Sequence, residues 1–291
     1  MLLASCAFAT SSPLARYARP ASPLFIAFGR LALAAALLAL VERGALLTAL
    51  RALTARQRAT VLAAGALLAA HFACFQWGLD HTSLPAAASL VSLEPLAVVV
   101  CAWALLGLAP SRLEWLGVGL ATGGAVIVAQ GAGAGEHRLL GDAVVVVAVL
   151  FYGLYLTVAR ALRDALPARA YATLVYAGAA MFLLVAFPLM PGALDSPAWP
   201  PPGYALAAIA ALAVIPTVLG HTAVQTASRT LPPAVVALVS PGETLGAIAI
   251  GAVWLHAFPT PLEITGAAII VLGSAVAILA PAWSARGRAG A

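Results

Sequence analysis

The chain has 291 residues, of which 63% are apolar and only 9% charged; a water-soluble domain averages roughly 25% charged and 45–50% apolar, so an ordinary globular enzyme is excluded. All 15 basic residues are arginine and face 10 acids, for a net charge of +5. They sit in short gaps between apolar runs rather than on one face, so the charge is no nucleic-acid footprint, and the runs approach the ~20 residues that a bilayer core of ~30 Å demands of a helix.

Ten membrane-spanning helices are predicted, at 2–17, 22–41, 58–78, 86–107, 113–130, 140–159, 168–189, 203–225, 233–256 and 263–281. The chain therefore reads as an all-α polytopic membrane protein. The first span is interrupted by Ser11, Ser12, Pro13 and Arg16. Leu3-Ala4-Ser5-Cys6 spells a lipoprotein cleavage box, but the charged and apolar regions that should precede one are missing, so the first span is expected to be retained. Cys6, Cys74 and Cys101 lie in apolar runs and are expected to be small buried side chains rather than a disulfide framework. The arginine-rich stretch 42–58 is expected to be a connecting loop. A glycine-rich break at 131–138 divides the chain near its middle, and the Pro-rich segment 191–202 reads as a second loop.

Arginine placement sets the orientation. Arg43, Arg51, Arg56, Arg58, Arg112, Arg160, Arg163, Arg169 and Arg229 fall in loops on the side of both termini, together with Arg286 and Arg288 in the tail. Only Arg16, Arg19 and Arg138 fall opposite, and Arg30 lies within a span. The positive-inside bias then puts both termini in the cytoplasm of an inner or plasma membrane.

Self-comparison at a shift of 149 residues aligns Glu94 with Glu243, Pro110 with Pro259, Glu114 with Glu263, Gly117 with Gly266 and Gly124 with Gly273, along with three leucine pairs. Leucine matches are cheap in this composition; matched glutamates, a proline and glycines are not. Gln76 and Gln225 fall in the same register. Each half holds five spans, an odd number, so the halves must be inverted in the membrane. The domain reading is a first five-helix repeat at 1–130, a linker at 131–138, a second repeat at 139–283 and a tail at 284–291. Inverted repeats of this kind characterise secondary transporters, whose site lies near the midplane between the repeats.

Three segments carry a resemblance: Ser22 to Leu38 around Arg30, Leu93-Glu94-Pro95-Leu96-Ala97, and Gly141-Asp142 followed by Leu150-Phe151-Tyr152-Gly153-Leu154-Tyr155. In order and spacing, over nearly the whole chain, the sequence resembles the EamA-type carriers of the drug/metabolite transporter superfamily. That resemblance implies ten helices, cytoplasmic termini, and export of amino acids or other small metabolites. The chain departs from the family's pattern in having Leu108 and Ala257 where a glutamate often closes the fourth and ninth helices, and Phe8-Ala9 where an aromatic-glycine pair is usual.

Ionisable groups deep in spans are Arg30, His71, Glu94, His221 and Glu243. Each costs roughly 2.5–3.5 kcal/mol at bilayer depth on insertion scales, so each should face a cavity or a partner. Glu94 and Glu243 either exchange protons or bind a cationic group such as an amine, or else support kinks beside Pro95 and Pro241-Gly242. Arg30 either takes a substrate carboxylate, pairs with a glutamate or snorkels outward. His71 and His221 read as proton relays or as interhelical hydrogen bonds. Gln76, Trp77, Tyr152, Tyr155, Tyr176 and Gln225 are candidate cavity-lining groups, and Thr10-Ser11-Ser12 offers hydroxyls to the same cavity. Glu114 and Glu263 sit at helix starts and read as structural. No cofactor or metal site is expected, since the histidines are scattered, and a chain without lysine has no ATP-binding P-loop. The expected function is a small-molecule carrier, with protons as the coupling ion the carboxylates suit. The alternatives are an uncoupled facilitator, or an intramembrane enzyme built on the two glutamates. Nothing in the sequence bears on oligomeric state.

Overall fold

A computed structural model describes residues 2–107, 109–131, 135–159, 162, 165–186, 200–220, 223–224 and 239–289. The first repeat contains α1 (Leu2–Ala9), α2 (Ser11–Tyr17), α3 (Pro23–Val41), α4 (Arg43–Ala52), α5 (Ala55–Asp80), α6 (Leu84–Val91), α7 (Glu94–Leu106) and α8 (Arg112–Ala129). The second contains α9 (Leu139–Ala159), α10 (Ala168–Ala186), α11 (Gly203–Leu212) with a π-helical continuation (Ala213–Gly220), α12 (Val239–Leu255) and α13 (Pro261–Ala289). Seven of these segments are long and apolar enough to cross a membrane, and the bent pair α6–α7 makes an eighth if it is one crossing. α12 is a shorter apolar helix. Among the described residues the fold is all-α.

Helix starts follow local rules. Ser22 accepts from the Phe25 N–H (3.3 Å) with Pro23 in the first turn of α3, where proline has no donor to lose. Ser111/Glu114 and Thr260/Glu263 form reciprocal caps at the repeat-equivalent starts of α8 and α13: the Ser111 and Thr260 N–H groups each donate to the glutamate at 2.7 Å. The structural reading of those two glutamates therefore holds locally. Stretch 42–58 is not a simple loop, because it holds α4, where Leu46, Leu47 and Leu50 recur at helical spacing between arginines.

The two repeats meet along α8 and α13. A Cβ on Gly117 would lie 2.5 Å from the Gly273 carbonyl oxygen, and one on Gly124 would lie 2.8 Å from that of Gly266. Conversely, a Cβ on Gly266 would meet the Gly124 oxygen at 2.7 Å and one on Gly273 the Gly117 oxygen at 2.7 Å. Gly117 is the repeat-equivalent of Gly266, and Gly124 of Gly273. Exchanging equivalents therefore turns the Gly117–Gly273 contact into the Gly266–Gly124 contact, as a two-fold axis across an antiparallel helix pair requires. Ala121 and Ile270, equivalent residues between the glycines, are both fully buried. Small residues allow this approach because in lipid the helices associate by packing rather than by a hydrophobic drive.

Outward-facing surfaces are apolar: Met181 is 64% exposed, Val185 60% and Leu272 57%. Such a belt is a liability in water and the expected surface against lipid. Of the three cysteines expected to be buried only Cys101 is; Cys6 is exposed and Cys74 half-buried, because their apolar helices turn those positions outward. Trp103 and Trp115 meet edge to face at 5.2 Å where α7 and α8 adjoin, the kind of aromatic anchor found at a membrane interface.

Candidate functional site

Span 4 is broken, and the sequence dictates where. Pro95 has no N–H for the Val91 carbonyl, so α6 stops and α7 restarts at Glu94 with a bend of 42°. In the turn between them, the Ser92 N–H bonds Ser89 (3.1 Å) and the Leu96 N–H bonds Leu93 (3.0 Å), which frees the carbonyls of Ala88 and Ser92. Hydroxyls from the second repeat take both. Thr244 donates to the Ala88 oxygen (3.0 Å) and Ser274 to the Ser92 oxygen (2.9 Å), while the Ser92 and Thr244 hydroxyls bond each other. Broken helices survive at membrane depth only with such replacements. The break leaves Glu94 in the first turn of α7, where the helix dipole favours a carboxylate.

A second irregularity positions Arg30. Pro216 has no donor for the Leu212 carbonyl, and the chain there is π-helical. The Thr217 hydroxyl donates to the Leu212 oxygen (2.8 Å) and accepts from Arg30 Nε (2.8 Å). Arg30 Nη1 donates to Ser11 Oγ (3.0 Å), and the guanidinium carbon lies 4.4 Å from the centre of the Phe72 ring. The side chain is thus fixed on three sides and only 2% exposed. It does not snorkel, and among the described residues it forms no salt bridge with a carboxylate.

These groups converge on one cavity. It is lined by Phe8, Ser11, Arg30, His71, Phe72, Phe75, Val91, Glu94, Tyr152 and Glu243, so α1, α2, α3, α5, α6 and α7 of the first repeat face α9 and α12 of the second. Its volume at the centres of water-sized spheres is about 50 Å³, room for a few waters at roughly 10–15 Å³ each. Neither glutamate carboxylate has a hydrogen-bond partner among the described residues. Both lie within electrostatic reach of Arg30, and Glu94 within that of Glu243. His71 Nδ1 donates to the Ala148 carbonyl (2.9 Å), leaving Nε2 as the acceptor of a neutral ring. The ring stacks on Phe75 (7° between planes) and lies 5.2 Å from Tyr152.

The other sequence candidates lie elsewhere. Tyr155 (3% exposed) and Tyr176 (1%) are packed in the core with α3, α5 and α10. Gln76 is 2% exposed, and its Nε2 has no hydrogen-bond partner among the described residues. Trp77 stacks on His81 (3.7 Å) near the end of α5. His221 and Gln225 lie outside the described residues. Phe72, Phe75, Val91 and Thr217 were not singled out by sequence: three are ordinary apolar residues of apolar helices. Thr217 carried one usable signal, a hydroxyl directly after a mid-span proline.

Comparisons with known proteins agree with this architecture. No curated protein matches the chain. Among solved structures, one titled only "Crystal structure of protein" matches with a TM-score of 0.67 at 19% identity, covering 95% of this chain and 94% of that one, a likeness of fold alone. The family model of the EamA-like transporter family matches twice, over residues 1–130 and 139–279. The chain belongs to the EamA-like transporter family, as a membrane protein built of two copies of its repeat.

Proposed function

We propose that this protein is a secondary carrier, working as an exporter, for an amino acid or a related small metabolite. The observation that carries the reading is the central cavity, where Glu94 and Glu243 approach from equivalent positions in the two repeats and Arg30 stands fixed beside them. A zwitterion suits that arrangement. Its carboxylate would meet the open edge of the Arg30 guanidinium, and its amine would meet the glutamates, which have no protein donor to give up. The aromatic walls from Phe8, Phe72, Phe75 and Tyr152 would cover the apolar part. Proton coupling fits the same carboxylates: a proton that leaves a glutamate as the substrate ammonium arrives keeps the charge at the glutamates unchanged, while Arg30 balances the substrate carboxylate.

A cavity with room for a few waters must widen to admit such a solute. The isologous α8–α13 seam supports rocking of one repeat against the other as the way it does so. We read the chain as ten spans, with α1–α2 as the first and α12 in the ninth, and both termini in the cytoplasm by the arginine bias. The substrate class and the direction rest on the family resemblance. Counterflow of labelled amino acids and other metabolites into proteoliposomes, with and without an imposed pH gradient, tests the proposal. Saturable uptake stimulated by the gradient is expected. Gradient-independent flux would make the protein a facilitator, and no flux for any solute would refute the carrier reading.

A further inference from the structure

Away from the cavity, the described residues hold a second buried polar cluster. Ser83 caps α6, accepting from the Ala86 N–H (3.1 Å), and gives its own proton to the Glu263 carboxylate. His137 Nε2 bonds Asp142 (2.7 Å), and its Nδ1 lies 3.4 Å from Glu263. Asp142 also accepts from the Thr82 hydroxyl at 2.7 Å. Hydrogen bonds thus tie Ser83 of the first repeat to Glu263 of the second, and Asp142 of the second to the linker histidine and to Thr82 of the first; the two parts meet where His137 Nδ1 faces Glu263 without a hydrogen bond. The His137, Asp142 and Glu263 side chains are only 2–4% exposed. Two ion pairs, Arg16 with Glu136 and Arg19 with Asp80, lie over it.

Its place in the fold matters. His71 and Asp80 are nine residues apart on α5, and Tyr152 and Asp142 ten residues apart on α9, so the cluster lies about 15 Å from the cavity along both helices at 1.5 Å per residue. Among the described residues, the opposite end of the bundle shows no matching buried cluster. Glu114, the equivalent of Glu263, is half-buried, and among the described residues it bonds only its own cap at Ser111. The one described ion pair crossing the repeats there, Arg169 with Glu42, leaves Arg169 57% exposed, and exposed pairs contribute little. Equivalent carboxylates are therefore used differently at the two ends: one ties the repeats together and the other does not.

We infer that the Ser83–Glu263–His137–Asp142–Thr82 network is the latch that keeps this end of the carrier closed and must part when the cavity opens to that side. The inference rests on the alternating-access reading, and with cytoplasmic termini the latched side is the outer one. Buried hydrogen bonds to carboxylate oxygens suit this task, because removing one partner leaves the other unsatisfied.

The test is one-sided accessibility. In a background with Cys6, Cys74 and Cys101 replaced by alanine, Val91→Cys places a thiol at the cavity wall. Its reaction rate with a membrane-impermeant maleimide is measured from the latched side in right-side-out vesicles and from the other side in inverted ones. Glu263→Gln and Asp142→Asn should raise latched-side labelling by about tenfold, the population change for ~1.4 kcal/mol, and leave opposite-side labelling unchanged or lower. Ser83→Ala, which keeps both carboxylates, carries the same expectation in a smaller size should the charge variants not fold. An unchanged latched-side rate in folded variants would overturn the latch, as would an equal rise on both sides, which marks general loosening. Labelling needs no substrate. A protein that transports but whose accessibility ignores these variants sinks the latch alone, whereas absent flux with responsive labelling sinks the solute assignment.

Discussion

Replacing Gly117 with alanine tests the two-fold seam against a built-in control. The added methyl would lie 2.5 Å from the Gly273 oxygen and 2.7 Å from both the backbone nitrogen and Cβ of Ala277. Two of those neighbours are backbone, so relief requires α8 and α13 to separate. Overpacking of this sort costs about 1–3 kcal/mol, and contact with backbone argues for the upper half of that range. On the same helix, Gly119 and Gly123 have nothing within 4 Å of a built Cβ; alanine there should be neutral or gain up to about 1 kcal/mol of helix propensity. The two-fold relation adds a further constraint, since Gly266→Ala, equivalent to Gly117→Ala, should cost a similar amount. In detergent, thermal unfolding followed by fluorescence-detected gel filtration should show Gly117→Ala and Gly266→Ala melting roughly 4–12 °C below wild type, at roughly 2–4 °C per kcal/mol. Gly119→Ala and Gly123→Ala should match wild type or exceed it. Equal melting of Gly117→Ala and Gly119→Ala would refute the packing argument, and unequal effects of Gly117→Ala and Gly266→Ala would refute the symmetry.

Thr217→Val removes the group that both satisfies the Leu212 carbonyl and holds Arg30 Nε; it should destabilise the protein by about 1–3 kcal/mol, with Thr217→Ser restoring most of the loss in the same melt. Arg30→Lys should abolish substrate-induced thermal stabilisation, because a lysine ammonium cannot bond Thr217 and Ser11 together while lying over Phe72; retained stabilisation would remove Arg30 from the site. A double-mutant cycle of Ser92→Ala and Thr244→Val should give a coupling near 0.6 kcal/mol and no more than about 1.7, the range for hydroxyl pairs between membrane helices; zero coupling would mean the break is held otherwise. In a cysteine-free background, Glu136→Cys, at a side chain 67% exposed, should react with an impermeant reagent on intact cells, and Arg51→Cys only after lysis; the reverse pattern would invert the topology.

How far the sequence spoke depends on which residues carried the message. The 149-residue register was legible because glutamate is rare and glycine sits at matched seven-residue spacing, and in the fold those glycines pack across the axis the register implies. The cavity was half legible: Arg30, His71, Glu94 and Glu243 stand out as charges in apolar runs and do converge. Its aromatic walls do not stand out, since Phe72 and Phe75 resemble every other apolar residue of α5. Helix irregularities were legible as prolines but not as consequences. Pro95 announces a kink, whereas the capture of freed carbonyls by Thr244 and Ser274 depends on neighbours more than 150 residues away. The latch was illegible for the same reason. Glu263 reads from sequence only as a carboxylate at a helix start, and only the folded chain brings it together with the Ser83 cap and a linker histidine.

The most direct test of the carrier account compares exchange with net flux in proteoliposomes for wild type, Glu94→Gln and Glu243→Gln. For a solute that wild type carries, the account expects each variant to remain folded and to lose pH-driven net transport by at least tenfold, with wild type saturable and gradient-dependent. Undiminished, gradient-dependent transport in both variants would contradict it, leaving the two glutamates as structural features of a cavity that works without them.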